Sequence, residues 1–386
     1  MRPIRLLSAL AFVAAVLTLT HAPASAMPTF GQAYGVDCSL CHTAVPALNA
    51  HGRYVQRSQY GYLDGATVKK AFPVWVDYQA QYDSQASAPD THRVVWGNVA
   101  LHAVGLIDDN WSYHVQQWLV EDNQSGGLDT AWISYNGLLK HNAYVEVGKL
   151  EVPAPSPYSQ WLEIAPFATP EVTVGEHTYE LDGNRWGGKV GYLAGSTSVD
   201  AAYVGSDEDL NGATDWLPPT GKTLQYRAAF MRPKNPLEAG VYGASGTFPI
   251  SDGSTDRFSA LAGYIQRDPT HGVPGVFAVY QTTHDSYAAA GATGPSNGRD
   301  YSVDLYQPVM HGDVVFGVRR EMTDDGMGNV GNSSNVDMTI RLAKYLHLYT
   351  EAGFSSMNPG NGVDRVGTPA WRGYIWWTTP ITKARQ

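Results

Sequence analysis

Phe72-Pro73-Val74-Trp75-Val76-Asp77-Tyr78-Gln79-Ala80-Gln81-Tyr82 is the stretch that decides the fold. Successive side chains of a strand point to opposite faces, so Phe72, Val74, Val76, Tyr78, Ala80 and Tyr82 share one side while Trp75, Asp77, Gln79 and Gln81 share the other. One side is apolar and the other polar. The pattern returns in Leu224, Tyr226, Ala228 and Phe230 against Thr223, Gln225 and Arg227, and in Val336, Met338, Ile340 and Leu342 against Asp337, Thr339 and Arg341. Two-faced segments of about ten residues, repeated along a chain, are the signature of a transmembrane β-barrel: the apolar row meets lipid and the polar row lines the lumen.

Such segments are predicted at 72–82, 93–105, 110–121, 128–137, 142–151, 184–194, 197–204, 222–232, 237–248, 257–267, 274–284, 299–308, 312–322, 334–343, 346–355 and 369–379, an even number near sixteen. Tight connections such as Gly195-Ser196, Lys234-Asn235 and His311-Gly312 follow even segments, and longer polar ones follow most odd segments. Short turns belong at the periplasmic rim and long loops outside, which predicts both termini on the periplasmic side of the outer membrane. The longest connection, 152–183, carries Pro153, Pro155, Pro157, Pro166 and Pro170 among acidic residues. A loop so long is usually functional, and it is expected to fold into the barrel mouth or to face the headgroups outside. Trp75, Trp96, Trp111, Trp118, Trp132, Trp186, Trp371, Trp376 and Trp377 lie near segment ends, as interface girdles require. The last segment does not end on an aromatic residue, as outer-membrane chains commonly do: Pro380 and a short polar tail follow it.

Composition supports this class. Only 16% of the residues are charged, yet no apolar run after residue 26 approaches the roughly 18 residues of a spanning helix, which excludes a helical membrane bundle. Arg2 and Arg5 precede an apolar run over 6–19, and Ala24-Ser25-Ala26 supplies small residues for cleavage, so 1–26 reads as a secretory signal peptide. Its removal moves the formal charge from −10 to −12, a balance that argues against nucleic acid and against a polybasic membrane contact.

Between signal and barrel lies Cys38-Ser39-Leu40-Cys41-His42. Two cysteines at this spacing can each add to a vinyl group of one haem, with the adjoining histidine as axial ligand to the iron. A redox C-x-x-C pair or half of a zinc site are the competing readings, although no second Cys/His pair follows. Cys38 and Cys41 are the only cysteines, so a disulfide scaffold is excluded. The segment 27–71 is too short to fold without a staple, and a covalently bound macrocycle supplies one. Pro46 is placed to open a helix with Leu48, His51 and Val55 on one face, which makes His51 the nearest candidate for a sixth iron ligand, a propionate-facing surface histidine being the other reading. A local methionine ligand can only be Met27. His102, His114 and His347 fall on polar-face positions of the barrel and are further candidates, ordinary lumen residues being the alternative. Asp207-Glu208-Asp209 and Asp324-Asp325 either attract a divalent metal or are solvated loop faces.

The sequence Met27-Pro28-Thr29-Phe30-Gly31-Gln32-Ala33-Tyr34-Gly35-Val36-Asp37-Cys38-Ser39-Leu40-Cys41-His42-Thr43, followed by Val45-Pro46-Ala47-Leu48 and Gly52-Arg53, resembles the head of the fused monohaem cytochrome–porins of the outer membrane, a family that includes bacterial iron oxidases. The resemblance implies one covalent haem c on Cys38 and Cys41, His42 as axial ligand, and electron transfer through the outer membrane with Fe(II) as donor in the characterised branches. The expected architecture is an all-β transmembrane barrel of about sixteen antiparallel strands (72–386) with a small α-helical c-type cytochrome domain (27–71) as its plug. In this arrangement an extracellular reduced donor such as Fe(II) gives its electron to the haem and a periplasmic cytochrome collects it. The other expected classes are a porin whose cytochrome plug is a redox gate, and a soluble periplasmic haem sensor.

Overall fold

The computed structural model describes residues 34, 36–44, 47–63, 73–83, 94–121, 124–155, 157, 168–169, 172–174, 177–179, 181, 183–205, 222–249, 255–270, 272–286, 295–343, 345–358, 365–366 and 370–380. The signal region, Met27, Pro46, Phe72, Asp207-Glu208-Asp209 and the tail after Pro380 lie outside them.

Sixteen antiparallel strands form one closed barrel. In chain order they are β1 (Val74–Asp83), β2 (Val94–Leu106), β3 (Trp111–Glu121), β4 (Leu128–Leu138), β5 (Ala143–Leu150), β6 (Arg185–Ala194), β7 (Thr197–Val204) and β8 (Lys222–Arg232). There follow β9 (Asn235–Pro249), β10 (Thr255–Arg267), β11 (Gly275–Asp285), β12 (Ser296–Val309), β13 (Val314–Asp324), β14 (Val330–Ala343), β15 (Leu346–Asn358) and β16 (Ala370–Pro380). Two-residue pairings at Gln124–Ser125 and Arg365–Val366 extend the ladders of β3 and β15. Each strand pairs with its neighbour in sequence, and β16 closes the wall on β1 from Arg372 opposite Asp83 to Pro380 opposite Trp75. Closure leaves no strand edge, which a lipid environment requires because nothing there can satisfy an unpaired backbone group. Among the described residues no helix is long and apolar enough to cross a membrane.

The alternation read from the sequence appears as two surfaces. Leu224 and Phe230 face outward while Thr223, Gln225 and Arg227 face the lumen, each at most 2% exposed. The outward row includes Val241, Leu261, Tyr280, Phe316, Val318 and Val336. The tryptophans divide. Trp111, Trp371 and Trp377 are exposed near strand ends, as a girdle requires, but Trp75 and Trp132 point into the lumen, where Trp75 stacks on His102 with ring centroids 5.0 Å apart. Position in the strand sets the depth of a residue, but its parity sets the face, and Trp75 and Trp132 fall on the inward parity.

Among the described residues, two pieces of chain enter the lumen. The first is residues 34–63, which hold a 3-10 turn (Cys38–Leu40), a small hairpin (His42–Ala44 with Ala47–Leu48) and one α-helix, α1 (Ala50–Arg57). The helix begins later than its predicted proline start: Leu48 is in the hairpin, and Asn49 is the N-cap, its side chain accepting from the Gly52 amide at 2.9 Å. Polar partners of the segment are Leu106 at the end of β2, Asn136 near the end of β4, Glu238 near the start of β9 and Asp268 just after β10. Apolar partners are Leu193, Met231, Tyr306, Val315, Tyr349 and Tyr374. These come from strands all round the wall and cluster at the end where the short turns lie, so the segment lies across that rim.

The second piece is the connection between β5 and β6. Its hairpin of Val172–Val174 with His177–Tyr179 buries Val174 and Tyr179 among Phe258, Ala260, Phe277 and Val279 on the inner wall. Ser302 donates to the Ala168 carbonyl at 2.8 Å. The described part of this loop therefore folds inward, the first of the two expected placements.

Candidate functional site

The Cys38–Leu40 turn is set by its own sequence. Asp37 accepts from the Ser39 amide at 2.8 Å and the Ser39 hydroxyl at 2.6 Å, and the Leu40 and Cys41 amides close on the Asp37 and Cys38 carbonyls. Cys38 opens the turn and Cys41 caps its end, where Cys41 packs beside Tyr34, Val55 and Leu63. The two are not joined by a disulfide. The Asp37 carboxyl is held below its usual value by the Ser39 hydrogen bonds, whereas burial and then the nearby Cys38 push the Cys41 thiol up to about 11.

Asn49 clamps this turn to the helix. Its side-chain amide donates to the carbonyls of Ser39 and Leu40, both at 3.1 Å, and its backbone amide donates to the Cys41 carbonyl at 2.9 Å. Gly52 faces the same carbonyl so closely that a Cβ there would stand 2.0 Å from it. The close approach admits no side chain.

Behind the clamp, Arg53 anchors the segment to the wall. Buried to 1% exposure, it meets the Glu238 carboxylate at 2.9 Å and the Asp268 carboxylate at 2.5 Å, and it donates to the Leu48 carbonyl at 2.8 Å. Burial works against its charge, but the Glu238 and Asp268 carboxylates outweigh that and hold the guanidinium above its ordinary value. The anchor continues into the wall, where Arg227 pairs with Glu238 at 3.5 Å and with Asp200. Arg57, one turn on, donates to the Ala154 carbonyl of the inward loop, and burial followed by the neighbouring Arg227 depresses its pKa.

The motif opens on a cavity of about 70 Å³ between the segment and the rim. Cys38, His42 and Thr43 line one side, and the His311-Gly312 turn, Arg341 and His347 line the other. Arg341 forms an ion pair with Asp313. The Nε2 atom of His347 is buried without a hydrogen-bond partner among the described residues. Cys38, the imidazole of His42, a second imidazole with an orphaned nitrogen and a guanidinium suited to a propionate line the cavity, a donor set of the kind that holds a c-type haem, while Cys41 stands outside the lining beside Tyr34, Val55 and Leu63. Ligand pockets usually enclose about 300–1,000 Å³, so this cavity marks where the iron-facing side chains meet rather than the envelope of a macrocycle.

Other predicted residues lie elsewhere. His51 does not line the cavity; it packs on Tyr62 with ring centroids 5.6 Å apart. His102 pairs with Asp77 at 2.9 Å and His114 with Glu151 at 3.2 Å. Asp324 pairs with Arg299 of β12 at 3.0 Å and accepts from the Gly326 amide at 2.9 Å, and Asp325 accepts from the amides of Met327 and Asn329, so both serve the β13–β14 turn. Among the described residues no three His, Cys, Asp or Glu side chains gather as a bare metal ion would require. A larger depression of about 700 Å³ lies away from the motif and runs from Leu261 and Tyr280 in mid-strand to Asp324, Gly326 and Gly328 at the long-loop end. The sequence reading missed Asn49, Glu238 and Asp268: the N-cap preference of Asn49 was legible, but the two carboxylates resemble any other lumen residue until the barrel closes.

No protein-family model matches the chain, and no curated protein matches it in sequence. Solved structures do. The anion-selective porin from Comamonas acidovorans superposes with a TM-score of 0.55 at 14% identity, covering 80% of this chain and 98% of the porin. OmpT of Vibrio cholerae in its trimer form and the outer-membrane channel DcaP of Acinetobacter baumannii each give a TM-score of 0.53 at 11% identity and cover 80% of this chain, with 98% and 96% of their own lengths matched. At such identities the likeness is one of fold: the barrel is of the outer-membrane porin type.

Proposed function

We propose that the chain is an outer-membrane porin-type barrel whose lumen is stopped at the short-turn rim by a plug carrying one covalent haem c, and that this plug gates what crosses. The observation that carries the proposal is the Arg53 anchor: the segment bearing Cys38, Cys41 and His42 is held across the rim by buried ion pairs to Glu238 and Asp268. Cys38 and Cys41 would hold the haem by thioether bonds, His42 would ligate its iron, and the bound group would supply one-electron redox chemistry. The chain's own residues do the rest: Asn49 and Gly52 fix the turn against the helix, and Arg53 fixes the helix against the wall. Short turns are periplasmic in porins, which puts the plug and both ends of the barrel on that side. A soluble haem sensor is disfavoured by the outward row of Leu224, Phe230, Leu261 and Phe316.

Transfer of electrons from an extracellular donor such as Fe(II) to a periplasmic cytochrome is the second reading, and the occupied lumen favours it, since charge then crosses where solutes do not. The position of the motif weighs against it. The cavity lies at one rim, and the apolar band of such barrels is about 25 Å tall, so a donor would have to enter from the long-loop mouth to reach a single haem. The test measures three quantities on detergent-purified protein: covalent haem by mass and pyridine haemochrome, conductance in planar bilayers with the haem oxidised and reduced, and haem reduction by Fe(II) in stopped flow. A conductance that depends on redox state supports the gate, and fast Fe(II) reduction with low conductance in both states moves the assignment to electron transfer. Absence of covalent haem after expression with a c-type maturation system removes both.

A further inference from the structure

We infer that His347 is a second protein ligand of the haem iron besides His42; the inference rests on the haem reading above. The argument starts from its ring nitrogen. Nε2 of His347 is buried, belongs to the wall of the cavity that Cys38 and His42 line, and has no hydrogen-bond partner among the described residues. An unsatisfied buried polar atom is costly and calls for an explanation, and a metal ion is one that suits imidazole.

Met27 lies outside the described residues, and the other histidines that the sequence offered are engaged elsewhere. His102 and His114 are engaged by Asp77 and Glu151, and His51 packs on Tyr62 away from the cavity. His311 lines the cavity but is exposed, in a turn of left-handed backbone that begins at Met310. Met231 is buried between Tyr54 and Leu193, away from the cavity lining. His347 is also held by a stiff support, because β15 pairs with β14 and β16 on its two sides, His347 standing opposite Arg341 and Trp376. A ligand on a strand of a closed barrel is fixed in direction, which a distal ligand on a short loop is not.

The assignment predicts a low-spin ferric spectrum for the haem-loaded wild type. His347→Ala should keep the covalent haem, seen by mass, while its spectrum becomes high-spin, and added imidazole should restore the low-spin form. His347→Met should stay low-spin with a raised reduction potential, the usual consequence of His/Met ligation. The imidazole rescue separates lost ligation from lost folding. A wild type that is high-spin, an unchanged spectrum in His347→Ala, or conversion by His51→Ala instead would overturn the inference and leave the haem reading standing. No covalent haem in the wild type would remove both.

Discussion

Gly52 and Asn49 show how little room the motif leaves for change. A methyl group at Gly52 would meet the Cys41 carbonyl at 2.0 Å and the Leu48 side chain at 3.0 Å, so Gly52→Ala has to push the helix off the turn that carries the cysteines. Overpacking of this kind costs about 1–3 kcal/mol. We expect Gly52→Ala to raise the maleimide reactivity of Cys41 and, under the proposed function, to lower haem incorporation; equal reactivity in variant and parent would refute the close contact. Asn49→Ala removes the cap and two bonds to the turn, which should cost about 1 kcal/mol. Faster hydrogen exchange over residues 38–53, with the barrel strands unchanged, is the expected signature. Gly52 stood within the resemblance and Asn49 was passed over although asparagine is a favoured N-cap, and the carbonyl they share was not legible at all.

At the scale of elements, the contact that matters is helix against wall. Buried ion pairs add little net stability when intact, yet removing one partner leaves an uncompensated charge and costs about 3–5 kcal/mol. Arg53→Met leaves Asp268 without its cation and Glu238 with only the more distant Arg227, so the N-terminal segment should loosen and single-channel conductance should rise severalfold. Adding Glu238→Gln and Asp268→Asn to that variant should bring conductance part of the way back, because no buried charge then remains unpaired at this anchor. A conductance equal to wild type in Arg53→Met would mean that the helix is not what closes the rim. The anchor was only half legible: Arg53 sits in the stretch that resembles cytochrome–porins, whereas its partners lie 185 and 215 residues further on. The inward course of the loop was open to two readings because its prolines stiffen it without giving it a direction.

For the molecule as a whole, the outward apolar row sets both location and tolerance. Leu261 is half exposed at the middle of β10, opposite Gly243 and Thr282 of its neighbours, where lipid would surround it. Leu261→Arg should destabilise the folded barrel in lipid vesicles by about 2–4 kcal/mol, whereas a charge near the interfaces costs far less. Denaturant titration in vesicles reads the difference, and a neutral effect at Leu261 would put that face in contact with protein or water instead. Such a barrel also explains why the interior carries so many ionisable groups. Asp200, Arg227, Glu238, Asp304 and Arg319 are each at most 4% exposed, yet all lie on the inward parity, where they pair with one another across neighbouring strands.

What the chain declared by itself was local. Alternation of polar and apolar residues marked all sixteen strands to within a few residues, their two faces and the long-and-short rhythm of their connections, because strand geometry has a period of two and turns have their own chemistry. The spacing of Cys38, Cys41 and His42, on which the proposed haem chemistry rests, is local in the same way. Only the closed barrel decided which residues would meet them. Closure on β1 brings β12 to β16 round to the N-terminal segment, so that Arg341 and His347, some three hundred positions from the motif, line the same small cavity. No periodicity encodes such a meeting: it depends on strand number and register together, and those are properties of the whole wall.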